Sequence, residues 1–237
     1  MLILYLLISF FVTISMRTNC APLLDELGLK YRTDKSSSHH NYLNIYQKYL
    51  EIYRNQPIRF LEIGFYRGDS ARMWQEYFSN ALLFFIDIDP KVFDSTQSLG
   101  SRFDLALVDQ SNKQALQDYI KKTGGNFDVI IDDGGHTMKQ QIISFETLFP
   151  HLRSGGLYII EDLHTCYNLH PYTQSNWRIL NDMNGLKTTD YLKQRIDDLN
   201  YIGAKTLCAD HLKFSQELKK TLNIYQASIT ALHFYDS

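Results

Sequence analysis

Apolar residues recur in five short runs, which are the clearest pattern along the chain. Most of these runs are continuous rather than alternating, which is typical of β-strands buried on both faces. Other segments repeat their apolar residues at helical spacing. The pattern predicts strands at 58–63, 82–88, 103–109, 127–132 and 156–161, and helices at 41–54, 70–79, 112–122 and 138–149.

This order of elements predicts the fold class. The strand runs begin roughly 20 to 30 residues apart with helical segments between them, which favours a parallel sheet covered by helices on both faces. Right-handed crossovers make such a sheet a doubly wound α/β fold. The last quarter is less regular and predicts helices at 188–202 and 210–222 and a strand at 227–235.

Composition narrows the class of protein. With 237 residues, of which 44% are hydrophobic, the chain can bury a substantial core, so a disordered chain is excluded. A net charge of -2 gives no basic excess for a nucleic-acid backbone, so we expect no nucleic-acid partner. The three cysteines form no CxxC pair, which fits a reducing compartment better than a disulfide framework.

The N-terminal segment 1–20 differs from the remainder, 21–237, which we interpret as one domain. Residues 1–16 are apolar and uncharged, yet shorter than the ~20 residues that span a bilayer. Three interpretations stay open: a signal-like segment, a membrane anchor for a cytoplasmic domain, or a mis-assigned start that precedes Met16.

Ligands of open α/β sheets bind beyond the carboxyl ends of the strands, so the residues there are the candidate site. The first strand ends at Gly64, which permits a tight turn, and Gly68 and Ser70 open the next helix, with Ser70 as a candidate N-cap. Asp87 ends the second strand, about 20 residues on, where a carboxylate suits a ribose diol.

The third strand ends at Asp109 and Gln110, and no GxGxxG motif is present. These three strand ends together predict a nucleoside pocket without a phosphate site. The alternative is that the glycine only turns the chain and the aspartates cap loops.

Acidic residues follow the fourth and fifth strands. Asp132 and Asp133 end one, and Glu161 and Asp162 end the other. Neighbouring carboxylates of this kind favour a hard divalent cation, Mg²⁺ first, although adjacent residues of a straight strand face opposite sides.

His136 follows Asp133 closely, and histidine is the residue type most often used as a general base near neutral pH. The alternative interpretation makes the acids helix caps and His136 an ordinary loop histidine.

At these residues the chain resembles a known family, the Mg²⁺-dependent sugar O-methyltransferases of the macrocin and mycinamicin type, which are class I S-adenosylmethionine methyltransferases. The resemblance covers roughly residues 30 to 235, and its most specific part is the pairing of DDGGH with GGLYIIED. The matching segments are KYRTDK (30–35), LEIGFYRGDSARMW (61–74), FIDID (85–89), DQSN (109–112), FDVIIDDGGH (127–136), SFETLFPHLRSGGLYIIEDLHTCY (144–167) and ALHFY (231–235).

The resemblance implies roles for individual residues. It implies Asp133, Glu161 and Asp162 as metal ligands and His136 as the base. It implies that S-adenosylmethionine binds the following residues: Glu62, Gly64, Phe65, Gly68, Ser70, Asp87, Asp109 and Gln110.

It also implies the reaction and its setting. S-adenosylmethionine and Mg²⁺ would be the cofactors, and the acceptor would be a hydroxyl of a sugar, glycan or sugar-bearing metabolite. The donor favours the cytoplasm, with a membrane contact only through residues 1–16, and the oligomeric state stays open, a homo-oligomer included. The final antiparallel strand of the resembling fold is expected to be missing after 227–235.

Two rival functions remain at this point. The first is a catalytically impaired nucleoside-binding protein of the same fold, which retention of Asp133, His136, Glu161 and Asp162 disfavours. The second is a nicotinamide oxidoreductase, which the absence of GxGxxG disfavours.

Overall fold

A computed structural model describes residues 23–96, 99–167, 183–196, 229 and 233–235. The helices and strands of this part alternate as the sequence predicts. In chain order they are α1 (Leu23–Tyr31), α2 (Tyr42–Leu50), β1 (Arg59–Ile63), α3 (Asp69–Tyr77), β2 (Leu82–Asp87), β3 (Phe103–Leu107), α4 (Lys113–Thr123), β4 (Phe127–Asp132), α5 (Met138–Leu148) and β5 (Leu152–Ile160). Residues 188–196 are also helical.

The five strands form one parallel sheet in the order β3-β2-β1-β4-β5. The predicted doubly wound α/β fold is therefore confirmed. The strand order reverses between β1 and β4, and this is where open α/β sheets bind their ligands, beyond the carboxyl ends of the strands.

Each face of the sheet carries its own core. Phe60 on β1 packs with Trp74 of α3 and Leu43 of α2 on one face, while the next residue, Leu61, packs with Leu116 of α4 on the other. Because successive strand residues point to opposite faces, both faces demand apolar residues. This explains the continuous apolar runs of the sequence.

The described elements differ from prediction by more than two residues in three places. The helix predicted over 41–54 ends at Leu50 and continues as a 3₁₀ turn at Glu51–Tyr53. Helix α1 lies where no element was predicted. Strand β5 begins at Leu152 rather than 156, because Arg153 pairs with the buried Asp128 at 2.5 Å and extends the strand through a glycine-containing segment.

Other sequence predictions fall partly or wholly outside the described residues. These are the segment 1–20, the helix at 210–222 and most of the strand at 227–235, of which residue 229 and residues 233–235 are described and are not in a strand. Among the residues that the structure describes, no helix is long and apolar enough to cross a membrane.

Candidate active site

A cavity of about 710 Å³ lies beyond the carboxyl ends of β1 to β4. Its volume is within the range of sites that bind small molecules and cofactors. Most residues predicted at the strand ends line it, and they come from four different strand ends. They are Gly64, Phe65, Ser70, Asp87, Asp109, Gln110, Asp133 and His136.

The turn after β1 is fixed by the carboxylate that ends β2. Oδ2 of Asp87 accepts hydrogen bonds from the backbone N–H groups of Phe65 at 2.8 Å and Tyr66 at 3.0 Å. Oδ1 of Asp87 accepts one from the N–H of Asp89 at 2.9 Å. A carboxylate has about four acceptor positions, so Asp87 still has capacity for a ligand in the cavity.

Gly64 is required at this turn for two reasons. Its φ of +93° favours glycine, and a Cβ there would lie 2.1 Å from the carbonyl oxygen of Asp133. The turn after β1 therefore packs directly against the backbone that carries the acidic residues after β4.

Two of the predicted cofactor residues lie behind the cavity wall. Glu62 is fully buried, accepts a hydrogen bond from Ser70 Oγ at 2.8 Å, and burial raises its pKa to about 7. Gly68, at φ +73°, precedes α3 as its N-cap, so the predicted N-cap role of Ser70 is wrong. Ser70 fails as a cap because its hydroxyl is directed to Glu62 and it lies inside the first turn of the helix.

Gln110 connects the end of β3 to the loop after β4. Its Nε2 donates to Asp132 Oδ1 at 2.9 Å, and its Oε1 accepts from the N–H of Gly135 at 2.8 Å. Asp132 also accepts from Ser144, and burial raises its pKa to about 6. Asp132 therefore faces α5, and Asp133 faces the cavity, as expected for adjacent residues. The other residue at the end of β3, Asp109, accepts from the N–H of Ser111 at 2.8 Å.

Asp133, His136 and Asp162 form a three-residue cluster at the cavity wall, with one ligand atom of each within 4.8 Å of the others. His136 Nε2 lies 3.4 Å from Asp162 Oδ2 and 3.8 Å from Asp133 Oδ1. His136 and Asp162 both have positive φ, at 57° and 56°. Such strain is uncommon outside glycine and concentrates at functional sites.

Glu161, the third predicted metal ligand, is held differently. Its Oε1 accepts from the hydroxyl of Tyr46 at 2.8 Å, and its Oε2 accepts from Lys35 Nζ at 3.1 Å. Its carboxylate lies outside the three-residue cluster.

Lys35 and Tyr42 are site residues that the sequence analysis missed. Lys35 Nζ is only 1% exposed, contacts Asp133, and lies 3.1 Å from Glu161 and 3.5 Å from Glu62. The hydroxyl of Tyr42 donates to Asp162 Oδ1 at 2.6 Å. The available signals were the KYRTDK match, which carried no role, and the position of Tyr42 in the helix predicted over 41–54.

Burial and neighbouring charges shift the pKa values of the three acids in different directions. Burial raises the pKa of Asp133 and, together with Asp133, raises that of Glu161 well above its ordinary value. Burial also acts on Asp162, but the Tyr42 hydrogen bond and the neighbouring histidines outweigh it and lower its pKa. Burial opposes the charge of Lys35, whereas Asp133, Glu161 and Glu62 raise its pKa well above the ordinary value, so Lys35 is the cation of this group.

A second cavity of about 430 Å³ is lined in part by Glu161 and Asp162. Its walls are mostly apolar and aromatic. Side chains from α2, β5 and the segment after β5 contribute to it, among them Tyr42, Tyr46, Tyr49, Tyr158, His164 and Tyr167.

Comparison with known proteins agrees with this geometry. A protein-family model described as a methyltransferase domain matches residues 61–163. L-olivosyl-oleandolide 3-O-methyltransferase of Streptomyces antibioticus is 37% identical over 66% of this chain and 41% of its own length. Demethylmacrocin O-methyltransferase of Streptomyces fradiae is 38% identical over 63% of this chain and 38% of its own length.

Solved structures include a similar protein of the same kind. The MycE methyltransferase from the mycinamycin biosynthetic pathway, in complex with Mg and SAH, matches with a TM-score of 0.70 and 30% identity over 91% of this chain and 52% of MycE. The chain thus spans about half the length of MycE and about two fifths of the two curated relatives. The chain contains a methyltransferase domain, and it resembles class I methyltransferases of the macrocin and mycinamicin type.

Proposed function

We propose that the protein transfers a methyl group from S-adenosylmethionine to a hydroxyl of a sugar, glycan or sugar-bearing metabolite, with Mg²⁺ as a cofactor and His136 as the general base. One observation carries the proposal: Asp133 and His136 line the large cavity and, with Asp162, also form the three-residue cluster. A donor site and an acid–base site therefore share one wall.

The cavity fits the proposed donor. The glycine turn lets the backbone approach a ligand closely, and Asp87 and Asp109 offer acceptor atoms to hydroxyl or amino groups. S-adenosylmethionine would supply an electrophilic methyl group on a positively charged sulfur. In this proposal the residues that line the cavity orient it, namely Gly64, Phe65, Ser70, Asp87, Asp109 and Gln110, while Glu62 and Gly68 support the wall behind it.

The donor set also fits a hard divalent cation. Asp133 and Asp162 present carboxylate oxygens to one point, and oxygen ligands are those that Mg²⁺ prefers. Glu161 belongs to the proposed ligand set, although Lys35 and Tyr46 hold its two oxygens in this structure. Bound Mg²⁺ would supply positive charge that lowers the pKa of an adjacent hydroxyl.

His136 is placed to accept a proton. Its Nε2 faces Asp133 and Asp162, whose negative charges stabilise the imidazolium that forms when it takes a proton from the acceptor hydroxyl. Its Nδ1 is buried and has no hydrogen-bond partner among the described residues. The methyl group then bonds to the acceptor oxygen while its bond to sulfur breaks, and the cavity wall contributes mainly by aligning the two reactants.

The second cavity is the proposed acceptor site. Asp162 lines it and belongs to the same three-residue cluster as Asp133 and His136 of the large cavity, and the aromatic rings of this second cavity offer flat apolar surfaces against which a sugar ring can pack. The Streptomyces antibioticus relative is, by its name, a methyltransferase of an olivosyl-bearing compound, and MycE has also been solved with mycinamycin VI. A cytoplasmic location follows from the proposed donor.

A calorimetric titration tests the donor site first. We expect S-adenosylhomocysteine to bind the full chain, and the Asp87→Ala variant to lose at least tenfold in affinity, because three backbone N–H groups lose their acceptor. The matched control is Asp94→Ala, an exposed acid after the same strand, which should bind like the wild type.

Methyl transfer from the labelled donor to a panel of glycosides, with Mg²⁺ or with EDTA, tests the proposed acceptor class and the proposed metal. Transfer that requires the metal supports the proposal. Absence of S-adenosylhomocysteine binding by folded protein would overturn it, and binding without transfer to any acceptor would favour the non-catalytic alternative.

A further inference from the structure

The segment 35–42, which lies before the matched domain, touches two of the proposed metal ligands. Lys35 Nζ contacts Asp133 Oδ2, and the Tyr42 hydroxyl donates to Asp162 Oδ1. In each carboxylate it is the other oxygen, Oδ1 of Asp133 and Oδ2 of Asp162, that faces His136 Nε2. The carboxylates of Asp133 and Asp162 therefore each have one oxygen in contact with the segment 35–42 and one oxygen directed toward His136 Nε2.

We propose that Lys35 and Tyr42 are positioning residues for the metal site, which orient the carboxylates of Asp133 and Asp162 toward a common ion. The inference rests on the proposed function, because it requires that the cluster binds a divalent cation. A hydrogen bond to one carboxylate oxygen fixes the rotation of the whole group, and such outer partners of metal ligands typically change metal affinity 10- to 100-fold when they are removed.

The segment that carries these residues is fixed independently of the cluster. The N–H of Leu43 donates to the carbonyl of Lys35 at 3.1 Å, which ties the loop to the start of α2. The buried Asp25 on α1 accepts from the N–H of Ser37 at 2.7 Å and from its hydroxyl at 2.6 Å. Lys35 and Tyr42 therefore contact the carboxylates from a segment that other hydrogen bonds hold in place.

Simple packing does not explain a lysine at this position. Lys35 is 1% exposed, and burial of an ammonium group is costly unless carboxylates compensate it. An apolar side chain could fill the same space without burying an ammonium group, but it would leave the surrounding carboxylates without a counter-charge. The geometry instead gives Lys35 contacts to acids from three different strand ends, Glu62, Asp133 and Glu161.

Binding of MnCl₂ to the full chain, without donor or acceptor, tests the inference. The dissociation constant is measured by calorimetry or by the loss of the electron paramagnetic resonance signal of free Mn²⁺. We expect Tyr42→Phe, which removes only a hydroxyl, to weaken Mn²⁺ binding about tenfold. Its melting temperature in EDTA and its affinity for S-adenosylhomocysteine should stay at wild-type values.

The matched control is Tyr53→Phe, since the Tyr53 hydroxyl donates to the carbonyl of Gly155 rather than to a carboxylate. This variant should bind Mn²⁺ like the wild type. Lys35→Met is the second variant, and it should also bind Mn²⁺ at least tenfold more weakly, because Asp133 loses its fixed orientation.

Three results would overturn the inference. If Tyr42→Phe binds Mn²⁺ as tightly as Tyr53→Phe, Tyr42 does not orient a ligand. If Lys35→Met binds Mn²⁺ more tightly than the wild type, Lys35 competes with the ion instead of positioning Asp133. If the wild type binds no divalent ion, the metal part of the proposed function fails and the inference fails with it.

Discussion

On the turn side of the site, formed by Gly64, Phe65, Tyr66 and Asp87, the supporting contacts join residues 21 and 22 positions apart. On the carboxylate side, formed by Asp133, Glu161 and Asp162, Lys35 reaches its partners across 98 and 126 positions. The first arrangement is built by one strand–turn–helix unit and its neighbour. The second exists only when the whole fold has brought distant segments together.

The two sides also differ in what they offer a ligand. The turn side supplies a backbone bend held by one carboxylate, whereas the carboxylate side supplies charged side chains held by other side chains. A change on the turn side should therefore act on donor binding, and a change on the carboxylate side should act on the chemical step or the metal. Separate measurements of binding and rate can show whether this division holds.

The largest effect is expected from His136→Ala, which removes the proposed base from the carboxylate side. The rate constant of methyl transfer should fall ~10²- to 10⁴-fold, the usual contribution of a general base. Affinity for S-adenosylhomocysteine should change little, and His151→Ala, at the far end of α5, should leave the rate unchanged. A fall in rate of less than tenfold would remove His136 from the role of base.

Gly64→Ala should affect both the turn side and the carboxylate side, because a Cβ at Gly64 meets the carbonyl oxygen of Asp133. We expect a loss of several kcal/mol in the free energy of unfolding, from strain at positive φ of ~1–3 kcal/mol plus the clash. Binding of both S-adenosylhomocysteine and Mn²⁺ should weaken.

The matched control for that change is Gly124→Ala. Gly124 has φ +82° and nothing within 4 Å of its added Cβ, so this variant isolates the strain of the backbone. Urea denaturation of both variants gives the comparison. Equal losses would show that the contact between the turn and Asp133 contributes nothing to stability.

The smallest effect is expected from Glu62→Gln, a change at a buried residue of β1, and it concerns the pH dependence of the free energy of unfolding. Burial raises the pKa of Glu62 to about 7 from an ordinary value of 4.5, so between these values the folded state binds the extra proton. Stability of the wild type should therefore decrease as the pH rises from 4.5 to 7, and the variant should lack that share of the slope. Urea midpoints at pH 5 and pH 8 measure it.

Glu76→Gln is the control of opposite sign. Hydrogen bonds from Lys30 and Tyr31 lower the pKa of this exposed carboxyl, so its small contribution is present above the ordinary pKa and is lost as the pH falls. If Glu62→Gln shows the same slope as the wild type, the proton on Glu62 does not couple to folding.

Most of the fold could be predicted because it follows from local patterns. Continuous apolar runs gave the five strands within a few residues, since strands covered on both faces leave no other pattern. The exception was the start of β5, where Arg153 and two glycines look like a turn until Asp128 pairs with the arginine. Helix α1 was missed altogether, and its core contacts through Leu24 and Leu27 depend on the tertiary structure.

The site divides in the same way. Gly64, Asp87 and Gln110 were predictable because each lies at a strand end and acts on its neighbours. Lys35 and Tyr42 were not, because a lysine is normally exposed and a tyrosine at helical spacing normally serves the core. Only the assembled fold shows that the ammonium and hydroxyl groups of these side chains reach carboxylates.

The distance between Lys35 and its partners also bears on the order in which the protein forms during synthesis. At ~5–20 residues per second, a ribosome needs roughly 6 to 25 s to translate the 126 positions from Lys35 to Glu161. Throughout that interval the nascent chain lacks Glu161, and for most of it Asp133 as well. Of the three acids around Lys35, only Glu62 is then available, so the full charged centre of the protein forms only after β5 and Glu161 have been translated.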